Sequence, residues 1–290
     1  MDGILNVLKP PGITSTDVVT WVKRRLHTKT GHGGTLDPGA AGVLPICVGK
    51  ATRLFDILML GQKEYIAGIT FGMCTDTQDA YGKIVHGKGV VAADGLAIQQ
   101  VLPQFTGEIQ QIPPRYSALK IAGQSAYDLA RKGQDFALHA RPATIHQIEL
   151  LGTNGAEAMV RVVCGKGTYI RTLAQDIGEA LGCGAYLSFL LRTKAHGFFV
   201  EDAFTLEELE LAIEQNNLPL ILLDDVLADY PISVLNPRYE KQAANGNALL
   251  YDWFDVLTPQ QTRVYCNNRL YALASPKPET KQLAMDIMLV

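Results

Sequence analysis

Between Gly31 and Pro45 the chain holds five glycines, two prolines and two alanines around a single carboxylate, Asp37. Glycine admits positive φ and lets another chain come close. Asp37-Pro38-Gly39 is strong turn chemistry, because proline fixes φ and the aspartate can bond the backbone two residues on. The run therefore predicts a turn with Asp37 at its tip and little side-chain bulk around it, open to a large planar substrate from one side. A lone Asp-Pro-Gly would merely start a β-turn. The length of the small-residue run, and the basic segment Lys23-Arg24-Arg25-Leu26-His27-Thr28-Lys29 that feeds it, point instead to a functional loop.

A polyanionic partner has to be reconciled with a net charge of −3. The acidic excess is local: residues 201–230 carry nine Asp or Glu and no Lys or Arg, and the rest of the chain is mildly basic. Its sign thus does not exclude RNA or DNA. The five cysteines, Cys47, Cys74, Cys164, Cys183 and Cys266, form no C-x-x-C pair and read as small buried hydrophobes in a reducing compartment. With no long apolar run and no basic leader at Met1-Asp2-Gly3, a cytoplasmic protein is expected.

Along the chain, residues 3–8, 43–48, 63–71, 107–121, 143–151 and 157–165 read as strands. Helices are expected after Thr14/Asp17, over 51–60, 94–105 and around 124–132, and after Thr205/Glu208, the first and last opened by capping boxes. Thr168 is expected to cap a further helix that carries Tyr169 and Arg171 in its first turn and stops at Gly182. Arginine there opposes the helix dipole and so suggests a specific anionic partner. Gly184–Thr193 reads as a mostly apolar helix. Strands and helices mix without a βαβ rhythm, which predicts an α+β fold. From residue 231 short strand-like pieces broken by turn residues predict a small β-rich second domain.

Several chemistries lack their motifs. Gly42 to Lys50 has the wrong spacing for a phosphate loop, and Gly31-x-Gly33-Gly34 lacks the rest of a dinucleotide fingerprint. Asp76–Gly82 misses the calcium-loop pattern at Ala80. The six histidines show no metal-ligand pairing, and no G-x-S-x-G elbow occurs. A carboxylate nucleophile or base that needs no cofactor and no metal remains.

Lys9-Pro10-Pro11-Gly12, Gly31-His32-Gly33-Gly34-Thr35-Leu36-Asp37-Pro38, Lys63-Glu64-Tyr65, Thr75-Asp76-Thr77-x-Asp79, Tyr116-Ser117-Ala118-Leu119-Lys120 and Gly165-Lys166-Gly167-Thr168-Tyr169-Ile170-Arg171-Thr172 stand in family order. Over residues 3 to 200 the chain resembles the TruB family of tRNA pseudouridine synthases. The resemblance implies a pseudouridine synthase fold: a central mixed, mainly antiparallel sheet flanked by helices in a catalytic domain over 1–230. Residues 231–290 resemble the family's PUA-like C-terminal RNA-binding domain only weakly. It also implies a monomer that isomerises uridine 55 in the T loop of tRNA.

In that family the matching residues give Asp37 as nucleophile, attacking either the uracil ring or the ribose. Tyr65 would stack on the flipped base and assist proton removal, and Arg171 would pair with Asp37. His32 and Lys9 would contact RNA, and Tyr169 and Leu190 would line the pocket. Two positions depart from the pattern: Gly33 stands where threonine is more usual, and Leu191 where arginine is usual beside Arg192. The alternative is an RNA-binding or tRNA-folding protein in which catalysis is secondary, against which the retained Asp37, Tyr65 and Arg171 speak. A synthase directed by a guide RNA is disfavoured by the chain length and the absence of a long basic tail.

Overall fold

The computed structural model describes residues 1–89 and 91–290. Among them nine strands form one sheet. Its order is Gly3–Lys9, Ala41–Val48, Ala185–Ala195, Lys63–Phe71, Glu157–Cys164, Arg141–Asn154 and Gly107–Gln111, with Thr30–His32 paired to Ala41–Val48 and Phe198–Phe199 to Ala185–Ala195. Every pairing is antiparallel except Ala41–Val48 with Ala185–Ala195, where Leu191 faces Ala41 and Arg192 faces Gly42. The expected mixed, mainly antiparallel sheet of an α+β fold is what forms.

Ser15–Leu26, Gly95–Val101, Ile170–Ala180 and Leu206–Glu214 lie over one face. Ser15–Leu26 opens on the Thr14/Asp17 capping box and Leu206–Glu214 on the Thr205/Glu208 box, each satisfying two otherwise orphaned donors. Val18, Val22, Ile98, Leu173, Ile177 and Leu209 from these helices bury against Leu5, Val7, Leu44, Ile46, Ala67, Ile69 and Phe71 of the strands. The other face of the first strands is covered by Ala51, Leu58 and Phe198. Cys47, Cys74, Cys164 and Cys266 are free, buried thiols, as small hydrophobes would be. No helix among the described residues is long and apolar enough to cross a membrane.

Three sequence expectations fail here, the first being the strand over 107–121, which ends at Gln111 and resumes only as Lys120–Ile121 in a separate small pair. Gly184–Thr193 is not a helix: it is the strand Ala185–Ala195, with partners on both sides. A strand buried inside a sheet is a near-continuous apolar run, which periodicity alone does not separate from a buried helix. Thr168 does not cap the helix Ile170–Ala180; Tyr169 occupies that position without a side-chain bond, and Thr168 Oγ1 donates to the Gly165 carbonyl 3.2 Å away.

A second sheet of six strands runs Leu249–Leu250, Gln282–Met288, Arg269–Lys277, Thr262–Cys266, Ile232–Leu235 and Phe254–Val256. It has its own core around Leu235, Val264, Ala274 and Leu283. It rests on the first unit through Leu54, Leu227 and Leu289, and Arg53 Nη1 donates to the Met288 carbonyl at 2.5 Å. Leu54→Ala would empty the centre of this joint. We expect a loss of about 2–5 kcal/mol, and calorimetry should then resolve two transitions where the intact protein gives one.

Candidate active site

The loop between Thr30–His32 and Ala41–Val48 turns at Asp37, whose carbonyl accepts from the Ala40 N–H at 3.0 Å. So short of side chains, it cannot hold its own shape, and its neighbours hold it by the backbone. Ser15, first residue of its helix, accepts the Leu36 N–H at 2.8 Å and donates Oγ to the Leu36 carbonyl at 3.0 Å. The Gly12 N–H donates to the Pro38 carbonyl at 2.8 Å.

Buried cations supply the remaining donors. Lys9 Nζ reaches the carbonyls of Pro10, Pro38 and Ala40 at 2.9, 3.3 and 2.8 Å. Arg192 donates to Val43, Gly34 and Thr35 at 2.7, 3.0 and 3.4 Å. Lys63 Nζ donates to Met59 and Gly61, both at 3.0 Å. Lys9 and Arg192 are each 0% exposed, and none of the three forms an ion pair among the described residues. Burial pushes both lysine ammonium groups down to about 8. The expectation that Lys9 contacts RNA is therefore corrected: its ammonium points inward and braces the Asp37 turn. Leu191, the second departure from the family pattern, is half-buried beside this fully buried Arg192. The first departure has a steric reason too, since a Cβ on Gly33 would stand 3.0 Å from Leu58 Cδ1.

Arg171 comes from the first turn of Ile170–Ala180 and meets Asp37 with a hydrogen bond from Nη2 to Oδ1 at 3.0 Å and an ion-pair contact of Nε with Oδ2 at 2.9 Å. A charge-assisted bond of this kind fixes direction as well as charge. The guanidinium is 6% exposed and also donates to the Tyr116 carbonyl at 3.1 Å and the Thr77 carbonyl at 3.4 Å. Asp79 Oδ2 lies 3.9 Å from it. The anionic partner inferred from the position of Arg171 in the helix is Asp37.

The start of that helix is pinned by Gln111, whose amide both accepts the Tyr169 N–H at 3.0 Å and donates to the Tyr169 carbonyl at 3.2 Å. Thr172 Oγ1 donates to Gln78 Oε1 at 2.9 Å, tying the helix to the Thr75–Asp79 loop. Gln111 lies in no motif, Gln78 is the unspecified position of Thr75-Asp76-Thr77-x-Asp79, and Arg192 stands out only as the neighbour of Leu191, so sequence reading weighs none of them as a site residue. The regular strand around Gln111 was the sole signal.

Asp37 keeps 38% of its side-chain surface open although protein rings it. The surrounding protein lifts its carboxyl above the usual range; Arg171 pulls it back and Asp79 adds to the lift. Tyr65 and Leu190 are buried on the helix-bearing side, in the same core. Burial raises the Tyr65 phenol, against the pull of Arg192, so the ring is neutral in the free protein. His32 is half-buried; burial and then the Arg192 charge lower its pKa, and its Nδ1 is buried without a partner. Tyr169 sits half-buried at the helix start.

The site thus sets a buried guanidinium against a partly open carboxylate beside a mixed, mainly antiparallel sheet. The backbone superposes on a chain from a Cbf5-Nop10-Gar1 complex with a TM-score of 0.73 and 28% identity, covering 99% of this chain and 84% of that one. A chain of the archaeal box H/ACA sRNP Nop10-Cbf5 complex superposes with a TM-score of 0.71 at 26% identity, covering 99% and 85%. Residues 23–170 match the TruB family pseudouridylate synthase N-terminal domain, and 171–231 the tRNA pseudouridylate synthase B C-terminal domain. The chain is 46% identical over 250 residues to tRNA pseudouridine synthase B of Alkaliphilus oremlandii, covering 86% of this chain and 83% of that protein. It is 44% identical over 257 residues to the Pelotomaculum thermopropionicum protein of the same name, covering 86% and 81%. The chain belongs to the TruB family.

The buried lysines set a pH dependence. Below about pH 8 folded and unfolded chains both hold these protons and the cost of burial is constant. Between about 8 and the ordinary value of 10.5 the unfolded chain holds protons that the folded one has released. Stability attributable to them therefore rises with pH through that window. Urea midpoints at the two ends should show the rise, and Lys9→Met should lose its share. Arg192→Met would orphan buried carbonyls at a cost of about 1–3 kcal/mol each. We expect Arg192→Lys to rescue little, because one ammonium does not span three carbonyls.

Proposed function

We propose that this chain converts the uridine at position 55 in the T loop of tRNA to pseudouridine, acting as a monomer in the cytoplasm. The observation that carries this is the Arg171–Asp37 ion pair, hydrogen-bonded through Nη2, on a backbone-braced loop. Membership of the TruB family and the relatives' shared name support it.

In this reading the target uridine leaves its stack, at a cost of a few kcal/mol that a fitted pocket and an aromatic face offset. Asp37 attacks the ring or the ribose and the bond from C1′ to N1 breaks. The base turns, C5 bonds to C1′, the bond to Asp37 breaks and frees the carboxylate, the C5 proton leaves and N1 gains one. The reaction moves one bond and one proton, and no oxidant or reductant is consumed. Tyr65 stacks on the base as a neutral ring; a proton-accepting role would first need the phenolate, which burial disfavours. Leu190 and Tyr169 line the pocket and His32 contacts RNA. Residues 231–290 form a second, PUA-like RNA-binding domain after a catalytic domain over 1–230.

Asp37→Asn should leave tRNA binding within a few-fold and abolish pseudouridine, read by filter binding and by mapping the modification in T-arm RNA. Equal loss of both would count against the nucleophile. The ionised carboxylate is the reactive form, so single-turnover rates should fall on the acid side at a pH above the ordinary aspartate value of 3.8. Arg171 lowers that pKa, so Arg171→Met should move the acid limb to higher pH as well as reduce the plateau. An unmoved limb would separate the titration from Asp37.

A further inference from the structure

One exposed aromatic ring stands at the rim of this site with no part in the chemistry above. Tyr81 is 74% exposed, yet its ring edge rests on the backbone of Gly39, two residues past Asp37. A Cβ on Gly39 would fall 2.1 Å from Tyr81 Cε2. Gly39 is not among the residues with positive φ. What calls for glycine there is the room the ring takes, not the backbone angle.

The backbone of Tyr81 is also tethered, from the opposite side of the site. The Tyr81 N–H donates to Asp79 Oδ1 at 3.0 Å, and Thr77 Oγ1 donates to the same oxygen at 2.6 Å. The other Asp79 oxygen is the one 3.9 Å from Arg171. The next residue closes the turn tightly: a Cβ on Gly82 would lie 2.3 Å from Thr77 Oγ1. Tyr81 is thus placed from two directions, by the loop that presents Asp37 and by the carboxylate behind Arg171. A solvated tyrosine with no task would need neither tether. A large exposed ring beside a pocket that takes an unstacked nucleotide has the chemistry of a stacking platform, since every base has a π-face.

We propose that Tyr81 is an RNA-binding residue on which a base flanking the target uridine stacks, filling the stacking gap left when the uridine turns into the pocket. This rests on the uridine-isomerase reading above and deepens it. The contact is indifferent to the identity of the flanking base and needs the ring, not the hydroxyl.

The test uses the full chain and a T-arm RNA hairpin carrying 2-aminopurine next to the target uridine, with kcat and KM measured separately on the unlabelled hairpin. Wild type and Tyr81→Phe should quench the 2-aminopurine on binding and share one KM. Tyr81→Ala and Tyr81→Leu should lose the quench and raise KM about tenfold, with kcat held within a few-fold and thermal stability unchanged. Leucine restoring both readouts would reduce Tyr81 to an apolar cover for Gly39 and overturn the proposal. So would an alanine variant indistinguishable from wild type. The quench does not depend on turnover. A hairpin that is bound and quenched but never isomerised would sink the isomerase reading and leave the stacking contact standing.

Discussion

Everything at this site depends on backbone carbonyls being answered by buried cations. A loop made of glycine, alanine and proline offers acceptors and almost no side chains, and such acceptors left unpaired inside a protein cost about 1–3 kcal/mol each. Lys9, from the first strand, and Arg192, from a strand more than half the chain later, supply donors directly to that loop. Burying an ammonium is itself costly, as the fall of Lys9 and Lys63 to about 8 records. The cost is borne where it gives Asp37 a fixed backbone and a positive surrounding: the Lys9 charge is one of those that lower the Asp37 pKa.

That bracing also dictates the topology. Arg192 reaches the loop because its strand runs parallel to Ala41–Val48, the single parallel pairing in an otherwise antiparallel sheet. The approach is so close that a Cβ on Gly42, which has φ of +115°, would stand 2.2 Å from the Arg192 carbonyl. A side chain at 42 would push the two strands apart and draw the guanidinium out of reach. The same part of the chain delivers Arg171 from the helix preceding that strand. The Asp37 loop and the Arg171 clamp thus come from opposite ends of the first 200 residues, and neither is positioned until both are folded.

Sequence reading saw what local chemistry writes. Asp-Pro-Gly wrote the turn, Thr14/Asp17 and Thr205/Glu208 wrote their helix starts, and an arginine in an unfavourable first turn announced an anion, which is Asp37. It missed what is written only in three dimensions. Ala185–Ala195 is bonded to partner strands along both edges and carries a nearly continuous apolar run, so its pattern imitates a buried helix. The expectation that Lys9 contacts RNA rests on the family resemblance alone; the carbonyls that turn it inward include those of residues 38 and 40, which only the fold brings to it. Gln111 is an unremarked strand residue until Tyr169, 58 positions on, presents both backbone groups to its amide.

The two pulls on Asp37 suit the nucleophilic role proposed for it. A nucleophilic carboxylate must be ionised, yet the more tightly an arginine holds it the weaker a nucleophile it becomes. Burial works against that weakening by raising its affinity for a proton, and with it for an electrophilic carbon. Arg171 is also shared: its guanidinium serves the Tyr116 and Thr77 carbonyls and lies 3.9 Å from Asp79, so its charge is not given wholly to Asp37. A clamp divided in this way fixes the direction of the carboxylate while leaving it basic. The surface that Asp37 keeps open is then the one place where that basicity can be used.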